Sequence, residues 1–504
     1  MGSPVRFSFA SFIQIHRDLE TPIYLQIANH IISAIQRGIL LPEQKLPGTR
    51  TLSIDLETHR NTITAAYEEL NQQGWISIQQ NKGAFILPFS NKNINKEGET
   101  RQYDSSYPQK TGFSFQKSNL LDNPFEHIPC DFVFNDGTPD IRLTQIDDLS
   151  RFYSANMKRK SNRKKMGYYN QEGSEYFKKH LSNYLNVSRG FHISPQNLLI
   201  TRSIEMSLYI ISEVLLQAND LIIVGELSFF SANMIFQKSG ARIQSIPIDE
   251  DGLCIDSLKD ICEQETPRMV YVTPHHHYPT TVSLSSKRRL ALLELAKEKG
   301  FIIVEDDYDY DFQYEVLNNL PLATTDTSGM VVYVSSFGKS LAPGFRTGFI
   351  VAPKNLMIEM QKHLGIIDRQ GDILMEQALG EMIDDGIIHR HLKKSLKVYR
   401  ERRDHCVKLL HLHLNDWVDF DIPSGGLAFW LRWKKAVNLM QLSQQCQKKQ
   451  LFIPKTLLYQ NKNITAIRIG FGHLTFDEME NCLLIIKNVL EELHHINRLL
   501  VHND

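Results

Sequence analysis

Lys339 stands in Ser335-Ser336-Phe337-Gly338-Lys339-Ser340-Leu341-Ala342-Pro343-Gly344-Phe345-Arg346, downstream of an apolar run that ends in Glu305-Asp306-Asp307-Tyr308. A lysine amine condenses with an aldehyde only when unprotonated. In water it keeps its proton to a pKa of about 10.4, so its surroundings must favour the neutral form. At the end of a buried strand Asp306 can pair with a cationic ring nitrogen, and Tyr308, two residues on, can donate to a ring hydroxyl. A phosphate asks for backbone N–H groups at a helix start together with a hydroxyl and a cation. Thr201-Arg202-Ser203-Ile204-Glu205 opens a helix directly after a strand, so the amides at Ser203 and Ile204 are candidates, with Ser336 and Arg346 supplying hydroxyl and charge. Phe229, after another strand, can stack on a flat ring, although the same residue fits ordinary core. Together these side chains form the donor set of a pyridoxal phosphate (PLP) site. The plain alternative is that Glu305-Asp306-Asp307 is an exposed strand-end loop.

Other clusters read differently. His275-His276-His277 lies on an extended segment where consecutive side chains alternate sides and cannot easily converge on one ion, so we expect no metal. Six cysteines without CxxC spacing point to reduced thiols in a cytosol. The basic run Lys158-Arg159-Lys160-Ser161-Asn162-Arg163-Lys164-Lys165 fits a solvated helix end or a nucleic-acid contact.

These groups must be positioned by an alternation of strands and helices. Short apolar or β-branched runs occur at 198–201, 221–224, 242–248, 269–273, 301–305, 331–335 and 347–351, several continuous enough to be buried on both faces. Ser286 to Lys299, closed by Gly300, is the clearest helix between them. The pattern predicts an α/β domain with a mostly parallel sheet.

The first ninety or so residues follow another plan. Ile23, Ile27, Ile31, Ala34 and Ile35 form one helical face after Thr21-Pro22. A short second helix from about Thr49 turns Leu52 and Leu56 inward. A third, from about Asn61, buries Ile63, Ala66, Tyr67 and Leu70. Gly74 to Ile78 and Asn81 to Ile86 then read as a hairpin. That order is a winged helix-turn-helix, which would offer Arg60, Asn61, Thr62 and Thr64 to base edges and Arg50 and Lys82 to phosphates. Basic residues do not outnumber acidic ones here, so on charge alone a small helical domain without DNA is equally open. Residues 89–125 are polar and poor in apolar groups, as a flexible linker would be.

The whole chain has 504 residues, with 42% hydrophobic and 22% charged, enough for about three domains of soluble globular protein. Lys plus Arg (56) nearly equals Asp plus Glu (57), so any DNA binding must rest on local placement. No secretory leader or long apolar run is seen, which predicts a soluble, cytoplasmic protein.

Ile39-Leu40-Leu41-Pro42-Glu43-Gln44-Lys45-Leu46-Pro47-Gly48-Thr49-Arg50, His59 to Leu70, Gly74-Trp75-Ile76 and Lys82-Gly83-Ala84-Phe85 resemble GntR-type winged helices. The second half resembles fold-type I aminotransferases, and the chain as a whole resembles the MocR subfamily of GntR regulators, the branch that includes GabR and PdxR. The resemblance implies a winged helix-turn-helix over 12–88, a linker over 89–125 and an aminotransferase-like PLP domain with a smaller C-terminal α+β subdomain over 126–504. It implies Lys339 as the cofactor lysine, Asp306 and Tyr308 at the ring nitrogen and hydroxyl, Phe229 stacked on the ring, and phosphate at Ser203, Ile204, Ser336 and Arg346. It adds Arg468 for a ligand carboxylate, Tyr168 reaching the cofactor from a partner subunit, and a head-to-tail homodimer. The function implied is a regulator that binds operator DNA and senses PLP, or an amine or amino acid forming an external aldimine with it. A working aminotransferase with an accessory DNA-binding module is the rival. Departures from the family pattern are Ser203 for glycine, Gly338 for serine, Thr281 for glycine and Tyr278 for asparagine. They leave attachment possible and weaken the case for turnover.

Overall fold

The computed structural model describes residues 9–18, 21–36, 39–79, 82–88, 110–122, 124–126, 128–167, 173–315 and 319–501. The chain divides into two compact units, Met1–Lys117 and Ser118–Asp504.

In the first unit, helices Ile23–Gln36, Thr49–Asp55 and Arg60–Gln72 precede an antiparallel hairpin of Ile76–Gln79 and Gly83–Ile86. Ile27, Ile31 and Ala34 of the first helix meet Ile63, Ala66 and Leu70 of the third, the i, i+3, i+4, i+7 stripes expected from the sequence. The segment before the second helix also joins the sheet, with Leu46 N–H donating to the Ala84 carbonyl at 2.9 Å. Gly83 has φ of +115°, a conformation that calls for glycine, whereas a Cβ there would meet only the movable end of the Lys45 side chain. Phe9 and Ile13 extend this core towards the N-terminus.

The second unit is built on a seven-stranded sheet. Its order across the sheet is Leu198–Thr201, Gly348–Val351, Val331–Ser336, Ile302–Asp306, Met269–Val272, Leu221–Gly225 and Arg242–Ile246. Only Gly348–Val351 runs against its neighbours; the other strands are mutually parallel. All seven runs read from the sequence are present. The inner ones are buried throughout, because helices cover both faces, whereas the edge strand Arg242–Ile246 is largely exposed. Ser286–Lys299 is the predicted helix, closed by Gly300 in the left-handed region.

A long helix, Ile387–Leu414, leads into a smaller antiparallel sheet ordered Val418–Phe420, Ala428–Trp433, Thr465–Gly470 and Leu458–Gln460, with its own core under Leu439–Lys448 and Phe476–Val501. Residues 118–125, read as linker, belong to this unit, where Phe125 packs edge-on against Phe230. Among the described residues no helix is long and apolar enough to cross a membrane.

Candidate functional site

In a parallel sheet the chain leaves every strand at the same edge, and turns to helices there gather side chains from distant sequence. At that edge Thr201 leads to Ser203, Gly225 to Phe229, Val272 to Thr273, Asp306 to Tyr308, and Ser336 to Lys339. These ends surround a cleft of about 220 Å³. Lys339, Asp306, Tyr308, Phe229, Ser203, Ile204, Ser336 and Arg346, eight of the residues expected from the sequence, all line it.

The Lys339 ammonium lies 4.4 Å from the centroid of the Tyr308 ring. Desolvation lowers its pKa from the ordinary lysine range, against the pull of Asp136 and Asp309, with Arg468 reinforcing the drop. Asp306 is buried, and its Oδ2 accepts from the Tyr271 hydroxyl at 2.7 Å. Its Oδ1 is buried with no hydrogen-bond partner. Burial pushes the carboxyl up to about 7; Tyr271 opposes that rise, and Glu205, Asp307 and Asp309 add to it. A donorless carboxylate oxygen beside a depressed lysine matches what a ring N–H requires, so the chain's own residues fit a pyridinium cofactor.

The remaining contacts are mixed. The Tyr308 hydroxyl donates to the His276 carbonyl at 2.8 Å. Ser203 Oγ caps the helix Ile204–Leu215 by accepting from Met206 N–H at 3.2 Å, and Ser203, Ile204 and Glu205 at the start of that helix line the cleft. Ser336 Oγ accepts from Gly338 N–H at 3.3 Å. Arg346 is exposed and holds a left-handed φ of 48°. The Phe229 ring packs on the core and meets Tyr278 edge-on at 5.2 Å.

Arg468 is buried behind the cleft wall. Its Nε donates to the Asp136 carbonyl at 3.0 Å, its Nη1 to the Pro279 carbonyl at 2.8 Å, and the Tyr278 ring centroid lies 4.8 Å from its Cζ. Tyr168 lies outside the described residues. Sequence reasoning missed Tyr271, Asp136 and Glu205, which also line the cleft. Nothing in a buried β-strand marks Tyr271 as a carboxylate partner, and Asp136 arrives from far upstream.

Behind Lys339 lies a buried polar network. Ser340 Oγ donates to Asp311, which pairs with Arg189 at 3.2 Å, and Arg189 also donates to Ser335 Oγ at 3.1 Å. The three histidines go separate ways: His275 to Asp307, His276 to Asp309 at 2.8 Å, and His277 to Thr280 at 3.0 Å. Burial pulls His277 down to about 3. Thr281, where a glycine was expected, holds a left-handed φ of 65°.

In the first unit Arg50, Arg60, Asn61, Thr64 and Lys82 are exposed and Thr62 is half-buried. His59 caps the third helix by accepting from Asn61 N–H, Arg60 Nε donates to Thr49 Oγ1 at 3.3 Å, and Thr64 Oγ1 donates to the Arg60 carbonyl at 3.1 Å. In the basic run, Arg159 is spent on Glu381 and Lys165 on Gln377.

Comparisons with known proteins agree with both units. The family described as Aminotransferase class I and II matches residues 137–484, and bacterial regulatory proteins of the gntR family match residues 23–86. The probable rhizopine catabolism regulatory protein MocR of Rhizobium meliloti is 26% identical over 425 residues, 84% of either chain. The HTH-type transcriptional regulator YisV of Bacillus subtilis is 24% identical over 470 residues, covering 93% of this chain and 96% of its own. Among solved structures, an archaeal alanine:glyoxylate aminotransferase superposes with a TM-score of 0.68 at 22% identity, over 72% of this chain and 91% of its own. That likeness establishes the fold.

Proposed function

We propose, from the premise that this chain belongs to the class I and II aminotransferase family and joins to it a gntR-type head in the combination of MocR-type transcription regulators, that it is a cytoplasmic, head-to-tail homodimeric regulator. In this reading its large unit binds PLP at Lys339 and reports the cofactor, or an amine or amino acid reacting with it, to operator DNA held by the head. The observation that carries the reading is the unpartnered, buried Asp306 Oδ1 in the same cleft as the desolvated Lys339.

Bound there, PLP would supply an aldehyde able to exchange one amine for another. The chain's residues do the rest. Asp306 would hold a proton on the ring nitrogen, Tyr308 would serve the ring hydroxyl, and Phe229 would stack on the ring. Ser336, Arg346 and the amides at Ser203 and Ile204 hold the phosphate. Desolvation keeps the Lys339 amine nucleophilic. Arg468, reoriented from its carbonyl partners, takes a ligand carboxylate, and Tyr168 comes from the partner subunit. Arg60, Asn61, Thr62 and Thr64 read bases, while Arg50 and Lys82 hold phosphates. A ligand that changes DNA affinity by 5- to 150-fold would supply about 1–3 kcal/mol of coupling.

Borohydride reduction followed by peptide mapping tests the cofactor site: a pyridoxyl adduct on Lys339 is expected, and its absence overturns the reading. Single-turnover formation of pyridoxamine phosphate from a panel of amino acids decides against the rival. Rates of order 1–10³ s⁻¹ would make the chain a working aminotransferase instead.

A further inference from the structure

The long helix Ile387–Leu414 buries Ile388, His391, Leu392, Ser395 and Tyr399 on one side. On its other side Arg390, Lys393, Lys394, Lys397 and Arg400 are all exposed, with no acidic residue among them; the nearest along the chain are Asp385 before and Glu401 after. Among the described residues none of the five side chains makes a hydrogen bond or ion pair.

Elsewhere in this unit some exposed helical cations are matched one turn away, as Arg151 is with Asp148, Lys259 with Asp256 and Lys362 with Glu359, and others, such as Lys238, Lys287 and Lys297, stand singly and not as a stripe. The arrangement is also unfavourable for the helix itself. Arg390–Lys393, Arg390–Lys394, Lys393–Lys397, Lys394–Lys397 and Lys397–Arg400 are like-charge neighbours at i, i+3 or i, i+4, and acidic residues follow one turn on only for the last two, Glu401 after Lys397 and Asp404 after Arg400. A merely solvated face would not need one sign. Eleven residues of helix carry these charges over ~15 Å, the length of about four phosphates along one strand of a duplex.

We propose that this face of the large unit is a second, sequence-independent contact for the phosphate backbone of duplex DNA, separate from the head. The inference stands on the exposed charges and not on the cofactor reading. It gives a chain of near-neutral net charge a local stripe that can hold DNA without base recognition.

The test uses the full-length protein and a mixed-sequence 60-bp duplex, titrated in salt. Three proteins are compared: the unaltered chain, K393A/K394A/K397A, and a charge-matched control, K238A/K287A/K297A. Three lost phosphate contacts reduce the slope of log affinity against log salt by about 2.7, so between about 50 and 200 mM salt the unaltered chain loses about 40-fold more affinity than the stripe variant. The control keeps the original slope. In the background of R50A/R60A, which disables the head, residual duplex binding should persist and then vanish when the stripe is removed as well. Equal slopes for all three proteins, or equal losses in the stripe variant and the control, would overturn the proposal. So would a stripe variant that binds DNA unchanged but loses affinity for phosphatidylserine vesicles, which would make the face a membrane contact. Unchanged circular dichroism confirms that the exposed substitutions leave the fold intact.

Discussion

Replacing Tyr271 by Phe isolates the bond on which the electrostatics of the cleft turns. Among the described residues the Tyr271 hydroxyl is the sole donor to Asp306, at 2.7 Å, and the carboxyl is already pushed up to about 7 by burial. Because the folded pKa lies above the unfolded one, the native state holds a proton that the unfolded chain has released. Stability therefore falls as pH rises towards 7, and above 7 the buried carboxylate is charged and leans on Tyr271. A hydrogen bond to a charged group contributes about 1.5–3 kcal/mol, equivalent to one or two pKa units at about 1.36 kcal/mol each. Integrating over pH, the variant should lose less than about 0.1 kcal/mol at pH 6 and roughly 1.3–2.3 kcal/mol at pH 9. Urea unfolding followed by tryptophan fluorescence at the two pH values measures the difference. Asp306→Asn serves as the second arm of a double-mutant cycle and should abolish the pH-dependent part. An equal loss at pH 6 and pH 9 would refute the argument, because the bond would then stabilise neutral and charged Asp306 alike.

Other expectations follow from single contacts. Arg60→Ala with Asn61→Ala should abolish sequence-specific operator binding while leaving the absorbance of the PLP-loaded protein unchanged; unaltered footprints would remove both residues from the reading surface. Ser203→Ala should cost about 1 kcal/mol in thermal stability by removing the helix cap, and Ser203→Gly only a few tenths. Gly348→Ala places a Cβ 2.9 Å from Thr201 Oγ1 and 3.0 Å from the Ser203 carbonyl carbon, so PLP affinity measured by fluorescence should fall as the turn proposed to hold the phosphate is displaced. Thr281→Gly should stabilise the protein by about 1 kcal/mol in a melting experiment, because a β-branched residue now occupies a left-handed conformation.

Much of this was readable from residue order because strand ends are marked twice, by an apolar run and by the polar residue that follows it. Asp306, Tyr308, Ser203 and Ser336 could all be placed in that way, and the head was legible from its helical stripes. What stayed hidden depends on pairing across the sheet. Tyr271 is an ordinary strand residue until the parallel register of Met269–Val272 beside Ile302–Asp306 sets it near Asp306. Charge was misleading in a similar way. The conspicuous basic run at 158–165 gives Arg159 and Lys165 partners within the chain, Glu381 and Gln377, whereas the cations of Ile387–Leu414 are spaced apart in the sequence and gather only when the helix forms.

The departures from the family pattern bear on how the cleft keeps its shape. Thr281 keeps a left-handed backbone although its side chain disfavours it, held by Thr281 N–H donating to the His277 carbonyl and His277 N–H donating to the Val282 carbonyl, each at 2.7 Å. Ser203, where the resemblance expects glycine, spends its hydroxyl on the helix cap, and the start of Ile204–Leu215 still lines the cleft. A Cβ at Gly338, where the resemblance expects serine, would lie 3.3 Å from Ser336 Oγ, and the Gly338 N–H donates to that hydroxyl at 3.3 Å. In each case the surrounding hydrogen bonds, more than the residue itself, fix the backbone. A cleft of this kind can hold a ring and a phosphate with altered residues at its rim. Turnover demands more, since reacting groups must also be aligned in the transition state. Binding without efficient turnover is the property a sensor requires, because a ligand that persists in the cleft can bias the equilibrium between two states of the protein, whereas one consumed at once cannot.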